Sequence, residues 1–124
     1  MDFALVCLGG ALGTGARYLV GGLAARWLGW ELPYGTLLVN VIGSFLIGLV
    51  QELALAAVMP ERARVVLAVG VLGGFTTYSA FAYESLRLAE GGAWGAAALY
   101  VGLTGALCFA ACLLGVGVGR IAGG

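Results

Sequence analysis

Four long apolar runs separated by short connections dominate this chain of 124 residues. They cover residues 3–28, 34–58, 65–88 and 94–118, and each supplies the ~20 residues that a helix needs to cross a bilayer. Only 10% of the residues are charged, and the mean hydropathy is +1.07. A soluble domain of this size needs more polar surface, so the composition predicts an integral membrane protein. We expect one all-α domain of four transmembrane helices over residues 1–124.

The charged residues balance to a net charge of zero, and no basic patch indicates a nucleic-acid partner. Four spans place both termini on one side of the membrane together with Arg62, Arg64 and Arg120, whereas Arg26 and Arg87 lie on the other side. The two sides of the membrane thus differ little in their number of arginines, so the positive-inside rule hardly selects an orientation. Two hypotheses follow: one weakly preferred orientation, or insertion in both orientations with antiparallel pairing of two copies.

The third apolar run is interrupted where Gly73 and Gly74 precede Thr76 and Thr77. Glycine and threonine weaken a helix, the first through backbone freedom and the second through competing hydrogen bonds. Unpaired backbone groups are costly in lipid, so a break is tolerated only beside an ion, a pore or another protein surface. We therefore predict a third helix broken between Gly73 and Thr76, with an ion-handling site beside the break.

Polar side chains also interrupt the first two runs. Arg17 lies inside the first run, where a guanidinium either snorkels to the interface or draws anions into a vestibule. Asn40 lies in the second run, and Thr36, four residues earlier, shares its helix face. The Asn40 amide can either form a hydrogen bond between helices or donate to an ion. Both interpretations stay open at this point.

Two further sets of residues point to an anion. Tyr100, Thr104 and Cys108 recur at every fourth position of the fourth run, where their polar groups either bond to helix carbonyls or line a path. Tyr78 and Phe81 share one face of a helix that resumes after the break, and aromatic ring edges carry partial positive charge. These donors suit a small hydrated anion, whereas carbonyls freed at the break suit a hard cation such as Na⁺.

Small residues are abundant, with 23 glycines and three cysteines. GxxxG pairs occur within residues 9–13 and 115–119, and they allow close helix approach either inside one subunit or between subunits. Cys7, Cys108 and Cys112 form an odd set inside apolar runs, which argues against a disulfide framework. We expect these cysteines to act as small packing residues.

Three motifs occur in order: residues 9–18 (GGALGTGARY), 35–45 (GTLLVNVIGSF) and 73–81 (GGFTTYSAF). With them the chain resembles the CrcB/Fluc family of fluoride channels over essentially its whole length. The resemblance implies a fluoride-selective channel that exports fluoride passively and confers fluoride resistance. It also implies an antiparallel, dual-topology homodimer with a structural Na⁺ at its centre, spanning the inner (cell) membrane of a prokaryote several times.

The resemblance also assigns roles by position. The backbone carbonyls of Gly73 and Thr76 would hold the sodium ion. Three departures from the family pattern stand out: Tyr78 replaces the first of two common phenylalanines, Ala80 replaces a common threonine, and Cys108 replaces a hydroxyl residue. The residues implied to line the fluoride path are Arg17, Thr36, Asn40, Tyr78, Ser79, Phe81, Tyr100 and Thr104.

Two other functions compete with this one. A small proton-coupled multidrug exporter also has four spans and dual topology, but it needs a membrane carboxylate, for which Glu84 is the candidate. Glu84 also matches the family's usual glutamate. An accessory membrane subunit would give the break no function. Enzymatic activity is not expected, because the sequence has no nucleophile–base pair, no histidine and no cofactor motif. A homodimer is favoured because one chain carries the asparagine, the aromatics and the break together.

Overall fold

The computed structural model describes residues 2–124. Within that range, four helical segments are long and apolar enough to cross a membrane: Asp2–Leu28 (α1), Tyr34–Leu55 (α2), the interrupted span Glu61–Glu90, and Trp94–Ala122 (α6). The all-α membrane fold with a broken third helix, predicted from the apolar runs, is confirmed.

The ends of the spans differ from the predicted ends by a few residues. Helix α2 ends at Leu55 rather than at residue 58, because the chain turns through Ala57, which has a positive φ of 59°. A left-handed residue terminates a helix, and Pro60 then precedes the next one. The third span begins at Glu61 rather than at residue 65.

The third span consists of four pieces. They are α3 (Glu61–Val65), a π-helical segment π1 (Val66–Val71), α4 (Leu72–Phe75) and α5 (Tyr78–Glu90). A π-helical segment inside an α-helix often marks a functional region. Here π1 directly precedes the last helical turn before the break.

The break lies at Thr76 and Thr77, later than the glycines that predicted it. Both threonines are extended, with φ/ψ of −88°/157° and −150°/117°, whereas Gly73 and Gly74 remain helical in α4. The Thr76 hydroxyl donates to the carbonyl of Leu72 at 2.9 Å and closes α4. The Thr77 hydroxyl accepts from the Ala80 amide at 3.2 Å and caps α5. The Thr77 hydroxyl thus replaces a backbone acceptor that the break removes, whereas the Thr76 hydroxyl adds a second bond to the Leu72 carbonyl, which the Thr76 amide also reaches at 3.0 Å.

The glycines before the break serve close packing instead. A Cβ on Gly74 would collide with the carbonyl of Gly10, and a Cβ on Gly13 with the carbonyl of Val71. Helix α1 therefore lies almost in backbone contact with π1 and α4. Such an approach is open only to glycine, because any side chain at these positions would force the helices apart.

The GxxxG pairs pack inside the subunit. Gly9, like Gly13, faces π1, where its missing Cβ would lie 3.1 Å from the carbonyl oxygen of Val66. In α6, a Cβ on Gly115 would collide with the Phe45 carbonyl of α2. Internal packing, one of the two interpretations left open by the sequence, is therefore what these glycines do in the structure.

The end of the bundle that carries the termini is lined with ion pairs. These pairs are Arg62–Asp2 at 2.9 Å, Arg64–Glu61, and Arg120–Glu52 at 3.5 Å. Each arginine of this end thus has an acidic partner within the subunit. Positive and negative charge are balanced locally, and this end presents no strongly basic face.

Candidate functional site

Two grooves flank the break. The first, here called the break groove, has a volume of about 430 Å³ and lies between α2, the break and α6. The second, the arginine groove, has a volume of about 610 Å³ and lies between α1, α2 and α5. Thr77 lines both grooves, so the extended segment of the third span forms part of the wall between them.

Asn40 is joined to the extended segment by a pair of hydrogen bonds. Its Nδ2 donates to the carbonyl of Thr77 at 3.0 Å, and its Oδ1 accepts from the Thr77 amide at 2.9 Å. Asn40 Oδ1 thereby replaces the acceptor that the Thr77 amide would have in a continuous helix, and Nδ2 adds a donor to the carbonyl of this N-cap residue. A carboxamide has two N–H donors, so one remains, and Asn40 lines the break groove. The interhelical hydrogen bond expected as one interpretation is present, and a donor is still left for a ligand.

Arg17 is also bound to the break. Its Nε donates to the carbonyl of Gly74 at 3.1 Å, and the Thr14 hydroxyl approaches the same carbonyl at 3.5 Å. The guanidinium therefore reaches inward to a backbone group rather than only outward to the interface. It also lines the arginine groove, where it supplies positive charge.

The break frees backbone carbonyls beside the break groove. In a continuous helix the Thr77 amide would donate to the carbonyl of Gly73, but here it donates to Asn40. The Gly73 carbonyl therefore loses its helical partner. Gly73 and Thr76, the two residues predicted to hold a cation, both line the break groove. Their carbonyl oxygens are the kind of ligand that unwound helices offer to a hard cation.

A second polar cluster is centred on Glu84 of α5. The Thr36 hydroxyl of α2 donates to Glu84 Oε2 at 3.0 Å, and the Tyr100 hydroxyl of α6 donates to Glu84 Oε1 at 3.1 Å. Three helices are thus tied through one carboxylate. The sequence marked Glu84 as a membrane carboxylate and as a match to the family's usual glutamate, but it did not indicate these partners, which lie 48 and 16 residues away along the chain.

Three aromatic rings form a row beside the break groove. The ring centroids of Tyr78 and Phe81 lie 5.7 Å apart with a 49° tilt, and those of Phe81 and Tyr100 lie 5.3 Å apart with a 50° tilt. Tyr100 is fully buried, whereas Tyr78 is 80% exposed. The row therefore runs from the interior of the subunit to its outer surface.

Six of the eight residues predicted for the fluoride path line one of the two grooves. Four of them line the break groove: Asn40, Tyr78, Phe81 and Thr104. Arg17 and Thr36 line the arginine groove, and Tyr100 is buried between Glu84 and Phe81. Ser79 is exposed and lies against the Thr77 hydroxyl at 3.4 Å, so it is placed beside the break rather than in the wall of either groove.

Thr77 is the main structural residue that the sequence reasoning did not single out as part of the site. It caps α5, pairs with Asn40 and lines both grooves. Threonine is a preferred N-cap residue, and Thr77 directly precedes the segment predicted to resume the helix, so this signal was available in the sequence.

The fold and the site together define the class of membrane protein to which this chain belongs. The chain is a multi-span membrane protein in which a broken helix, held by polar side chains, adjoins grooves lined with hydrogen-bond donors. The model of the family described as CrcB-like protein, Camphor Resistance (CrcB), matches residues 4–116. The chain therefore belongs to the CrcB family.

Curated relatives support this assignment along most of the chain. A relative named fluoride-specific ion channel FluC from Anaeromyxobacter dehalogenans is 54% identical over 108 residues, which cover 86% of each chain. A protein of the same name from Magnetococcus marinus is 43% identical over 122 residues, covering 98% of this chain and 99% of that one. A third, from Thermus thermophilus, is 53% identical over 98 residues, covering 79% and 78%. These relatives are bacterial and carry the name of an ion channel rather than of an enzyme, as the sequence led us to expect.

Proposed function

We propose that this protein is a fluoride-selective channel that exports fluoride passively across the inner (cell) membrane and so confers fluoride resistance. The observation that carries the proposal is the pairing of Asn40 with the broken third span beside a groove lined with donors. The relatives named as fluoride-specific channels support the choice of ion.

The few donors in the largely apolar wall of the break groove suit a small anion. One N–H of Asn40 remains available, and the Thr104 hydroxyl is buried without a hydrogen-bond partner within the described residues. The ring edges of Tyr78 and Phe81 add partial positive charge. Neutral donors bind an anion less tightly than a fixed cation would, and conduction needs an ion that can leave as well as enter.

We further propose that two antiparallel copies assemble. Within the described residues, the large side chains that are almost completely buried are Val39 and Tyr100, at 1% and 0% exposure, so a single subunit has a thin core. Tyr78 is 80% exposed although it belongs to the row of rings beside the break groove. A second copy packed on this side would cover it, and antiparallel pairing would give two equivalent ion paths.

The same arrangement would suit a structural sodium ion at the centre of the dimer. One subunit offers the carbonyls of Gly73 and Thr76 beside the break groove, and a second copy would double this set to four oxygens. Bound there, sodium would supply a fixed positive charge that holds the two broken helices together. The pairing of the Thr77 amide with Asn40 keeps the Gly73 carbonyl available for this role.

Fluoride efflux from liposomes that contain the purified protein tests the proposal. We expect rapid fluoride release under a fluoride gradient and far slower chloride release from matched liposomes. A proton-coupled exporter would instead depend on an imposed proton gradient, which is therefore varied in parallel. No fluoride release, or chloride release at the same rate, would reject the channel assignment.

A further inference from the structure

Cys108 occupies a distinctive place among the three cysteines. All three are free, but Cys7 is exposed on α1, whereas Cys108 and Cys112 are partly buried on α6. Cys108 lines the break groove, and neither Cys7 nor Cys112 lines any of the grooves described above. The thiol of Cys108 therefore lies beside the path proposed for the ion.

The groove next to this thiol has a second unusual feature. Thr104 lies one helical turn before Cys108, is 6% exposed, and its Oγ1 has no hydrogen-bond partner within the described residues. A buried hydroxyl without a partner is costly, so a ligand that satisfies it would be favoured. Ser44 of α2 lines the same groove. The wall around Cys108 is thus largely apolar with a few hydroxyl groups, and it leaves room for a small group beside the thiol.

We propose that Cys108 is a thiol-modification site of the break groove, and that a small group attached to its Sγ closes the groove to anions. The group would occupy the space beside Thr104, within a groove of about 430 Å³. The blocking effect rests on the proposed channel function, whereas modification of the thiol does not.

The chemistry is attack of the thiolate on a thiosulfonate, which forms a disulfide and releases a sulfinate. The Cys108 thiol loses its proton to water, and the thiolate attacks the sulfenyl sulfur of methyl methanethiosulfonate. A new S–S bond forms, the S–S bond of the reagent breaks, and methanesulfinate leaves with the bonding electron pair. The product carries a methylthio group in a mixed disulfide with Cys108, and a thiol reductant such as dithiothreitol removes it by a second exchange.

The experiment combines labelling with transport in the same liposomes. Peptide mass spectrometry measures modification of each cysteine, and fluoride efflux is recorded before the reagent, after it, and after dithiothreitol. We expect labelling of Cys108 and a loss of efflux of roughly tenfold, which a barrier rise of about 1.4 kcal/mol would produce. Dithiothreitol should restore the initial rate.

Cysteine-to-serine variants show which thiol is responsible for the loss of efflux. Cys7→Ser should remain as sensitive to the reagent as the wild type, because Cys7 lies outside the grooves. Cys108→Ser should show the same efflux before and after the reagent. If Cys108→Ser does not assemble, a C7S/C112S variant that keeps only Cys108 answers the same question, since any effect then comes from that thiol.

Each result of the labelling and efflux measurements bears on a different part of the proposal. Labelling of Cys7 without labelling of Cys108 in the folded protein would overturn the modification site. Complete labelling of Cys108 with unchanged fluoride efflux would overturn the block. If the untreated protein releases no fluoride, the channel proposal and the block fail together, and the labelling alone then decides whether the site exists.

Discussion

The hydrogen-bond pair between Asn40 and the Thr77 peptide unit is the contact on which the site depends most directly. A carboxamide is the shortest side chain that offers a donor and an acceptor in one plane, and both are used here, at 3.0 and 2.9 Å. The bonds join positions that are 37 residues apart in the chain. Asn40 therefore supports the break, and the second N–H of its amide is not used in this pair.

Asn40→Asp should abolish fluoride flux while leaving assembly intact. A carboxylate still accepts from the Thr77 amide but cannot donate to the Thr77 carbonyl, and it adds negative charge to an anion path. We expect flux to fall by roughly tenfold or more, the effect of about 1.4 kcal/mol or more on the barrier. Liposome efflux measures the flux, and size-exclusion chromatography measures the assembly.

Gln51→Glu is the matched control for this variant. It makes the same change from amide to carboxylate on the same helix, but Gln51 is exposed and contacts Arg64 at 3.3 Å, away from the break groove. It should keep its flux. Wild-type flux in Asn40→Asp would show that Asn40 only supports the fold and that the anion passes elsewhere.

Individual site residues could be chosen from the sequence, but their partners could not. Arg17, Asn40 and Tyr100 stand out because polar groups inside apolar runs need a reason to be there. That Tyr100 donates to Glu84, and Arg17 to a backbone carbonyl, depends on how the helices are rotated against one another. Sequence periodicity in an almost uniformly apolar helix does not define that rotation.

At the scale of elements, close packing of α1 against the third span supports the break. Gly13 and Gly74 leave no room for a side chain, so the segment before the break rests on the backbone of α1. Side chains of α1 then hold the freed carbonyl of Gly74. The break is thus supported from α1 on one side and from α2, through Asn40, on the other.

Gly13→Ala should destabilise the protein, whereas Gly15→Ala should not. An added methyl group at position 13 collides with the carbonyl of Val71, but among the described residues no atom beyond the adjoining backbone of α1 lies within 4 Å of a Cβ at position 15. Overpacking of this kind costs roughly 1–3 kcal/mol. Alanine also favours a helix over glycine, so the change at position 15 is neutral or slightly stabilising.

Thermal unfolding in detergent, followed by loss of the soluble peak, compares the two variants directly. Gly13→Ala should unfold at a clearly lower temperature than the wild type, and Gly15→Ala at the same temperature or a higher one. If the unfolding temperature shifts equally in both variants, helix propensity determines the stability of this region, and the contact between α1 and π1 does not.

The elements themselves were largely predictable, and the detail of the break was not. Apolar run length gave the four spans to within a few residues, because the thickness of the bilayer limits the choices. The glycines marked the right region, yet the chain leaves the helix at Thr76 and Thr77. Gly74 could have bent the helix or allowed close packing, and only the position of α1 decides between these uses.

At the scale of the whole molecule, charge balance is the feature that bears on assembly. The arginines of the end that carries the termini are paired with acidic residues of the same subunit. Arginine counts on the two sides of the membrane differ little, and acidic residues contribute little to orientation. Because the arginine counts differ so little, we expect one positive charge added to a loop to change the orientation in which the chain inserts.

Single arginines placed in opposite loops should therefore separate the two orientations of the proposed dimer. Met59→Arg adds positive charge on the side of the termini, and Glu31→Arg adds it on the other side. The first should fix the termini in the cytoplasm and the second should fix them outside. Either variant alone would then lack antiparallel partners and should lose fluoride flux, whereas co-expression of the two should restore it.

Orientation is read from the labelling of a cysteine introduced into a loop, with a membrane-impermeant reagent, and flux from fluoride efflux in the same membranes. Met59→Gln serves as the neutral control and should insert and conduct as the wild type does. The decisive comparison is between each variant alone and the pair, because restoration by a partner requires that both orientations meet in one assembly. If Met59→Arg and Glu31→Arg each conduct alone at the wild-type rate with a single fixed orientation, the functional unit is not an antiparallel dimer.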